Sequence, residues 1–306
     1  MQGGYFRTAW RDVSGSPGWF GRLLTLALVG LVPVFGQIVI LGYLYGWARE
    51  AAWNVHAPLP PHIFGGDSKL YSRGFSALVI LLVCAIVPIL INGALSILSK
   101  VAAVIVGVGS GAFGVLVAAI AGLSALVTLA VVLLALLLMV VRWVGTMRMS
   151  IYGRLSAGFQ LRKIGAMVRH GSGGLARIVG MNVVMTAVAS VLMLAVVGVA
   201  LLVLVLALFI TSGFDLSFIG DFSEGDFTGV PPSLALMVLI VLVLVGLSFM
   251  TMWTFIEMMT ARAMGYWTAQ FDVINWGGQD DPMPFELAGA YGAPPGGVYG
   301  PGGPRP

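Results

Sequence analysis

Hydrophobic residues in this chain fall in long unbroken runs. Five stretches carry no Asp, Glu, Lys or Arg: 23–48, 74–99, 101–141, 178–214 and 227–256. A helix needs about 20 apolar residues to cross about 30 Å of hydrocarbon. A charge near the bilayer centre costs about 2.5–3.5 kcal/mol on insertion scales. Four runs therefore read as full membrane spans, at about 75–98, 115–141, 180–210 and 233–256. The third is longer than crossing requires, so it tilts or protrudes. Pro88 lies inside the first and removes one helical hydrogen bond, which a membrane helix tolerates where neighbours satisfy the freed carbonyl.

The earliest run behaves differently. Pro33, Gly36 and Gln37 sit near its middle, and each half is too short to cross alone. One helix of the whole length could span. Two short helices over 19–48, joined at Pro33-Val34-Phe35-Gly36, could instead enter the bilayer and return on the same side. The pattern thus predicts an all-α fold, a polytopic membrane helix bundle of four full spans plus an N-terminal re-entrant or interfacial helical hairpin.

Composition agrees. The 306 residues are 59% hydrophobic and only 9% charged, against about 25% charged in a soluble domain. The net charge is +4. Spread evenly, that excess would suit nucleic acid or anionic lipid, but it is strongly polarised, and no nucleic-acid partner is expected. Segment 142–177 holds Arg142, Arg148, Arg154, Arg162, Lys163, Arg169 and Arg177 with no acid, whereas 211–232 holds Asp215, Asp221, Glu224 and Asp226 with no base. Cytoplasmic loops collect Lys and Arg. The first segment is therefore placed in the cytoplasm and 211–232 outside, as expected for a multi-pass protein of the cytoplasmic membrane. Threading back, a hairpin leaves only Lys100 of the 16 bases on the far side, whereas a crossing would also strand Arg7, Arg11 and Arg22 there. The charge distribution favours the hairpin, with both termini cytoplasmic.

Within 142–177, Ile151, Leu155 and Phe159, then Leu161, Ile164 and Val168, recur at helical spacing among the bases. That predicts basic amphipathic helices on the inner leaflet, ended by Gly171-Ser172-Gly173-Gly174. Each base near anionic lipid contributes about 1 kcal/mol. Residues 1–276 form the membrane domain. The Gly- and Pro-rich stretch 277–306 reads as a disordered cytoplasmic tail. The Pro-rich run between Trp53 and Phe64 reads as an ordered loop. Beyond the lipid, a protein partner or a homo-oligomer fits such a chain.

No catalytic, cofactor or metal constellation emerges. Gly109-Ser110-Gly111-Ala112-Phe113-Gly114 matches G-x-G-x-x-G, but the acid that a dinucleotide site needs about 20 residues later is absent from a span. His56, His62 and His170 lack the ligand set of a metal centre. Cys84, the only cysteine, reads as a small buried apolar residue. Gly42-x-x-x-Gly46 and Gly107-x-x-x-Gly111 suit close helix packing. Polar groups in or beside spans are the default functional candidates. These are Gln37, Asn92, Arg142, Asn182, Glu257 and Arg262, with Glu257 able to pair with Arg142 or Arg262.

The stretch GWFGRLLTLALVGLVPVFGQIVILGYLYGWARE, with the following PLPPHIFGGDSKLYSRGFSALVI, resembles a prokaryotic membrane family, the domain-of-unknown-function family 4013. The shared features are an apolar run broken by Pro, a Gly-Tyr-Leu end, a Leu-Pro loop and a second run. Members commonly carry a more acidic, Trp-containing loop where this chain has His62-Ile63-Phe64-Gly65-Gly66-Asp67. The resemblance implies the membrane architecture and no activity. With that, the sequence predicts a non-enzymatic membrane protein, transport-associated or part of membrane assembly. A small transporter or channel with a polar path near Asn92 and Asn182 is the first alternative, and a lipid-acting membrane enzyme the second.

Overall fold

The computed structural model describes residues 4–107, 114–212 and 232–281. Among the described residues there are eight α-helices and no strand: α1 (Tyr5–Ser14), α2 (Trp19–Gly30), α3 (Phe35–Ala52), α4 (Leu70–Gly107), α5 (Gly114–Tyr152), α6 (Leu161–His170), α7 (Ser172–Ser212) and α8 (Pro232–Ala269). Four of them are long and apolar enough to cross a bilayer, within Leu70–Ile97, Leu126–Tyr152, Ser172–Ile210 and Ala235–Ala269. The chain is a polytopic all-α membrane protein. Residues 109–113 of the G-x-G-x-x-G stretch, most of 211–232 and the tail past 281 lie outside the described residues.

The early apolar run is a helical hairpin. α2 and α3 are joined at Leu31–Val34, where Phe35 N–H donates to the Pro33 carbonyl at 2.7 Å around Val34 (φ 64°, ψ −59°). That is a γ-turn of the rare, strained kind, here on a β-branched residue. Gly36 makes the turn sterically feasible, because a Cβ there would collide with the Val29 carbonyl. The hairpin reaches only part-way along the bundle. Gly30 packs on Met250, and Leu31 lies against Gly246. Gly246 is 14 residues from the start of α8 at Pro232, about 21 Å at 1.5 Å per residue. Both ends of the hairpin therefore sit at the same end of the bundle.

α3 is the buried centre of that end. It packs on α4 and α8, and to a lesser extent on α5. Small residues allow the approach: a Cβ on Gly42 would strike the Leu70 carbonyl, one on Gly74 the Ile38 carbonyl, and one on Gly265 the Ala48 carbonyl. The expected close-packing role of Gly42-x-x-x-Gly46 is realised against α4. Away from this end the long helices form two pairs, α4 on α5 and α7 on α8. Their outward side chains, such as Leu90, Leu133, Leu194 and Leu242, are exposed. Such apolar surface is compatible with lipid rather than water.

Segment 142–177 departs from the sequence reading. Only α6 is a separate amphipathic helix, and its Ile164 and Met167 are buried in the protein core rather than facing lipid. Residues 142–152 complete α5 and pack inside the protein, with Trp143, Met147 and Arg148 fully buried. A 3-10 turn follows at Leu155–Phe159. Ser172–Gly174 begin α7 instead of ending a helix. Gly174 serves contact, since a Cβ there would fall 2.7 Å from Tyr5 OH and 2.8 Å from Trp267 Cδ1, whereas one on Gly173 would meet nothing within 4 Å. Each span likewise outruns its apolar stretch. The extra turns that carry Arg73, Arg148 and Arg262 satisfy these groups against protein, so the hydrophobic limits do not mark those helix ends.

Candidate functional site

Three buried arginines organise the base of the bundle. Arg262 has no exposed surface. Its Nε donates to Asp12 Oδ2 at 2.8 Å, Nη1 to the Trp47 carbonyl at 2.9 Å, and Nη2 to the Val55 and Ala57 carbonyls at 3.1 Å each. The guanidinium also lies 4.4 Å from the Trp47 ring centroid. Tyr266 OH donates to the same Asp12 oxygen, and His56 Nδ1 meets that hydroxyl at 2.7 Å. One cation thus ties α1, α3, α8 and the Pro-rich loop together. The sequence option of a Glu257–Arg262 pair is not realised, because Asp12 and backbone carbonyls occupy the guanidinium.

Arg148 plays the same part for the second basic segment. Its Nη2 donates to Gln160 Oε1 at 2.7 Å and its Nε to the Ala157 carbonyl at 3.3 Å, with the Tyr152 and Trp276 rings at 5.3 and 5.5 Å. Near the start of α4, Arg73 pairs with Asp67 and donates to the Gly42 carbonyl at 3.4 Å. Burial alone would raise the Asp67 carboxyl's pKa. The Arg73 hydrogen bond, the Lys69 N–H and the charges of Arg73 and Arg49 outweigh it and hold the pKa below its ordinary 3.8.

A fourth arginine, less completely buried, differs. Arg142 Nη2 donates to Glu257 Oε1 at 2.7 Å, which realises the other sequence option. Glu257 is 5% exposed, and its second oxygen, Oε2, is buried without a hydrogen-bond partner. The Tyr45 hydroxyl, in the field of both charges, is buried and unpartnered too. Leaving a buried polar group unsatisfied costs about 1–3 kcal/mol, more if it is charged. One turn away, Asn182 Nδ2 donates to Thr260 Oγ1 at 3.0 Å. Arg142, Asn182 and Glu257 close one end of a groove of about 620 Å³ between α7 and α8. Its remaining walls include Met193, Val197, Phe249 and Trp253.

Of the six positions singled out from sequence, the structure brings together Arg142, Asn182 and Glu257. Arg262 is engaged elsewhere. Gln37 is half-buried on the first turn of α3. Asn92 is exposed and donates to the Pro88 carbonyl of its own helix at 2.9 Å, and it does not line the groove. Sequence reading passed over Asp12, Tyr45, Tyr266 and Arg148. Asp12 offered one signal, as an isolated acid in an otherwise basic N-terminal segment. Among the described residues no group of three or more His, Cys, Asp or Glu could hold a metal ion.

No curated protein and no solved structure matches the chain. Residues 25–198 match the family described as "Protein of unknown function (DUF4013)". The matched region covers the hairpin from mid-α2, all of α4, α5 and α6, and α7 beyond Asn182, so Arg142 lies inside it and Glu257 outside. With more than half of its 306 residues matched, this multi-pass membrane protein belongs to the DUF4013 family.

Proposed function

We propose that the chain is a non-enzymatic component of the cytoplasmic membrane, transport-associated or part of membrane assembly, with both termini and the basic base of the bundle in the cytoplasm. One observation carries this reading. The base is locked by buried ion pairs, while beyond it two helix pairs present long apolar surfaces to lipid. A rigid base with laterally open helices suits holding another molecule in or at the bilayer. Arg262 and Arg148 spend their donors on the fold itself, which leaves them no part in chemistry. Basic α6 and the neighbouring Arg154 add attraction to an anionic leaflet.

Isolation in mild detergent at native expression tests the proposal. A discrete, stoichiometric complex or homo-oligomer is expected. A monodisperse monomer that turns over a lipid in a Glu257-dependent way would overturn it. Such a result would favour the second reading, a lipid-acting enzyme, for which the 2.7 Å meeting of Arg142 and Glu257 is the supporting observation.

A further inference from the structure

The groove between α7 and α8 has one polar end and one apolar end. Arg142 stands where the charge-free run 101–141 stops, and Glu257 where 227–256 stops. The polar end therefore lies at the boundary between hydrocarbon and head groups. From Asn182 to Val197 the groove follows α7 for 15 residues, about 22 Å. One leaflet's share of a 30 Å core is about 15 Å. A lipid chain can lie along Met193, Val197 and Phe249 while its head reaches the ion pair.

The polar end selects the head. Glu257 Oε2 is a buried acceptor with no donor in the protein, and Asn182 Nδ2 is used on Thr260, which leaves its carbonyl oxygen as a second acceptor. Arg142 supplies the one cation, already balanced by Glu257. A purely anionic head would set its phosphate against Glu257 without a free cation to compensate. A choline head has no N–H to give. An apolar helix of a second copy offers Oε2 nothing.

We propose that this groove binds one bilayer phospholipid of the ethanolamine type, its phosphate on Arg142, its ammonium donating to Glu257, and one acyl chain along α7 and α8. The head mirrors the protein's own ion pair, so both charges stay compensated. The site does not depend on the role proposed above.

Native mass spectrometry of the purified full chain decides it, with equimolar phosphatidylethanolamine, phosphatidylcholine and phosphatidylglycerol of matched chains. The expected result is retention of one ethanolamine lipid about tenfold over the choline lipid, the effect of one charge-assisted hydrogen bond. Glu257→Gln should erase that preference. Met193→Trp, which fills the chain track and leaves the ion pair intact, should abolish retention of any lipid, and it keeps the test decisive if Glu257→Gln does not fold. Equal retention of choline and ethanolamine lipids, preference for the glycerol lipid, undiminished retention by Met193→Trp, or a lipid-free dimer broken by Met193→Trp would each overturn the proposal.

Discussion

Asp12 and Arg262 lie 250 positions apart and meet through a 2.8 Å hydrogen bond in which both side chains are almost wholly buried. The contact fixes amphipathic α1 against the last span. Neither residue is free to act on a substrate. Breaking a buried pair by removing one partner costs about 3–5 kcal/mol, because the other charge is left uncompensated. Arg262→Met is expected to destabilise by that amount, measured as the shift in unfolding midpoint in detergent. Asp12→Asn leaves the carbonyl contacts to Trp47, Val55 and Ala57 in place, so it should cost less, about 1–3 kcal/mol. If Arg262→Met unfolds at the wild-type midpoint, the structural role assigned to Arg262 is wrong.

The same pair shows what the sequence could and could not reveal. The spans were legible because hydrocarbon excludes charge. The hairpin was legible because Pro33 and Gly36 divide a run with bases on both flanks, Arg22 before it and Arg49 after it. Arg148 and Arg262 carried the same signal of sidedness, and nothing local separated a base that faces lipid head groups from one buried in protein. Their partners lie in other elements: Asp12 in α1, Gln160 just before α6 and the Trp47 carbonyl in α3. The Arg142–Glu257 pair was legible because each residue ends a charge-free run at the same depth. The groove beside it was not, because its walls are ordinary apolar residues of two spans.

Close approach of α3 and α4 depends on two glycines. At Gly74 a methyl group would collide with the Ile38 carbonyl, a backbone atom that cannot turn aside. Gly74→Ala should cost about 1–3 kcal/mol through overpacking. At Gly180 a Cβ meets nothing within 4 Å, so Gly180→Ala should stay within about 0.5 kcal/mol of wild type. Equal effects at the two positions would contradict the packing.

Val34 holds a backbone conformation that L-residues rarely adopt, at a cost of about 1–3 kcal/mol. Val34→Gly removes that strain and adds about 0.5–1 kcal/mol of chain entropy to be lost on folding. The net expectation is a neutral to stabilising change, read as an unchanged or higher midpoint. A clear loss of stability would mean that the Val34 side chain contributes more than the turn costs.

Asp67 supplies a pH dependence whose sign is fixed. Its folded pKa is depressed by Arg73, Lys69 N–H and Arg49. The clamp on the start of α4 is therefore fully present above the unfolded value, and it is lost as pH falls from about that ordinary 3.8 through the lower folded value. Asp67 is partly exposed, so screening keeps the effect modest. Asp67→Asn should flatten the acid limb of the stability curve below about pH 4 by lowering stability modestly at neutral pH, so that variant and wild type converge in acid. An acid limb identical to wild type would remove Asp67 from this role.

Sidedness is the remaining prediction, and the hairpin makes it specific. α2 and α3 enter and leave at the same end of the bundle, which is also the end that carries Arg148, α6 and Arg262. If Lys and Arg mark the cytoplasm, a reporter at the N-terminus and one at the C-terminus both report the cytoplasm, and a tag near Asp221 reports the outside. A reporter active only outside the cytoplasm, fused at the N-terminus, should be silent. Activity there would require the early apolar run to cross, which would place Arg7, Arg11 and Arg22 outside. The α1 contact with α8 through Asp12 and Arg262 would then have to break, because Arg262 lies toward the basic end of its span.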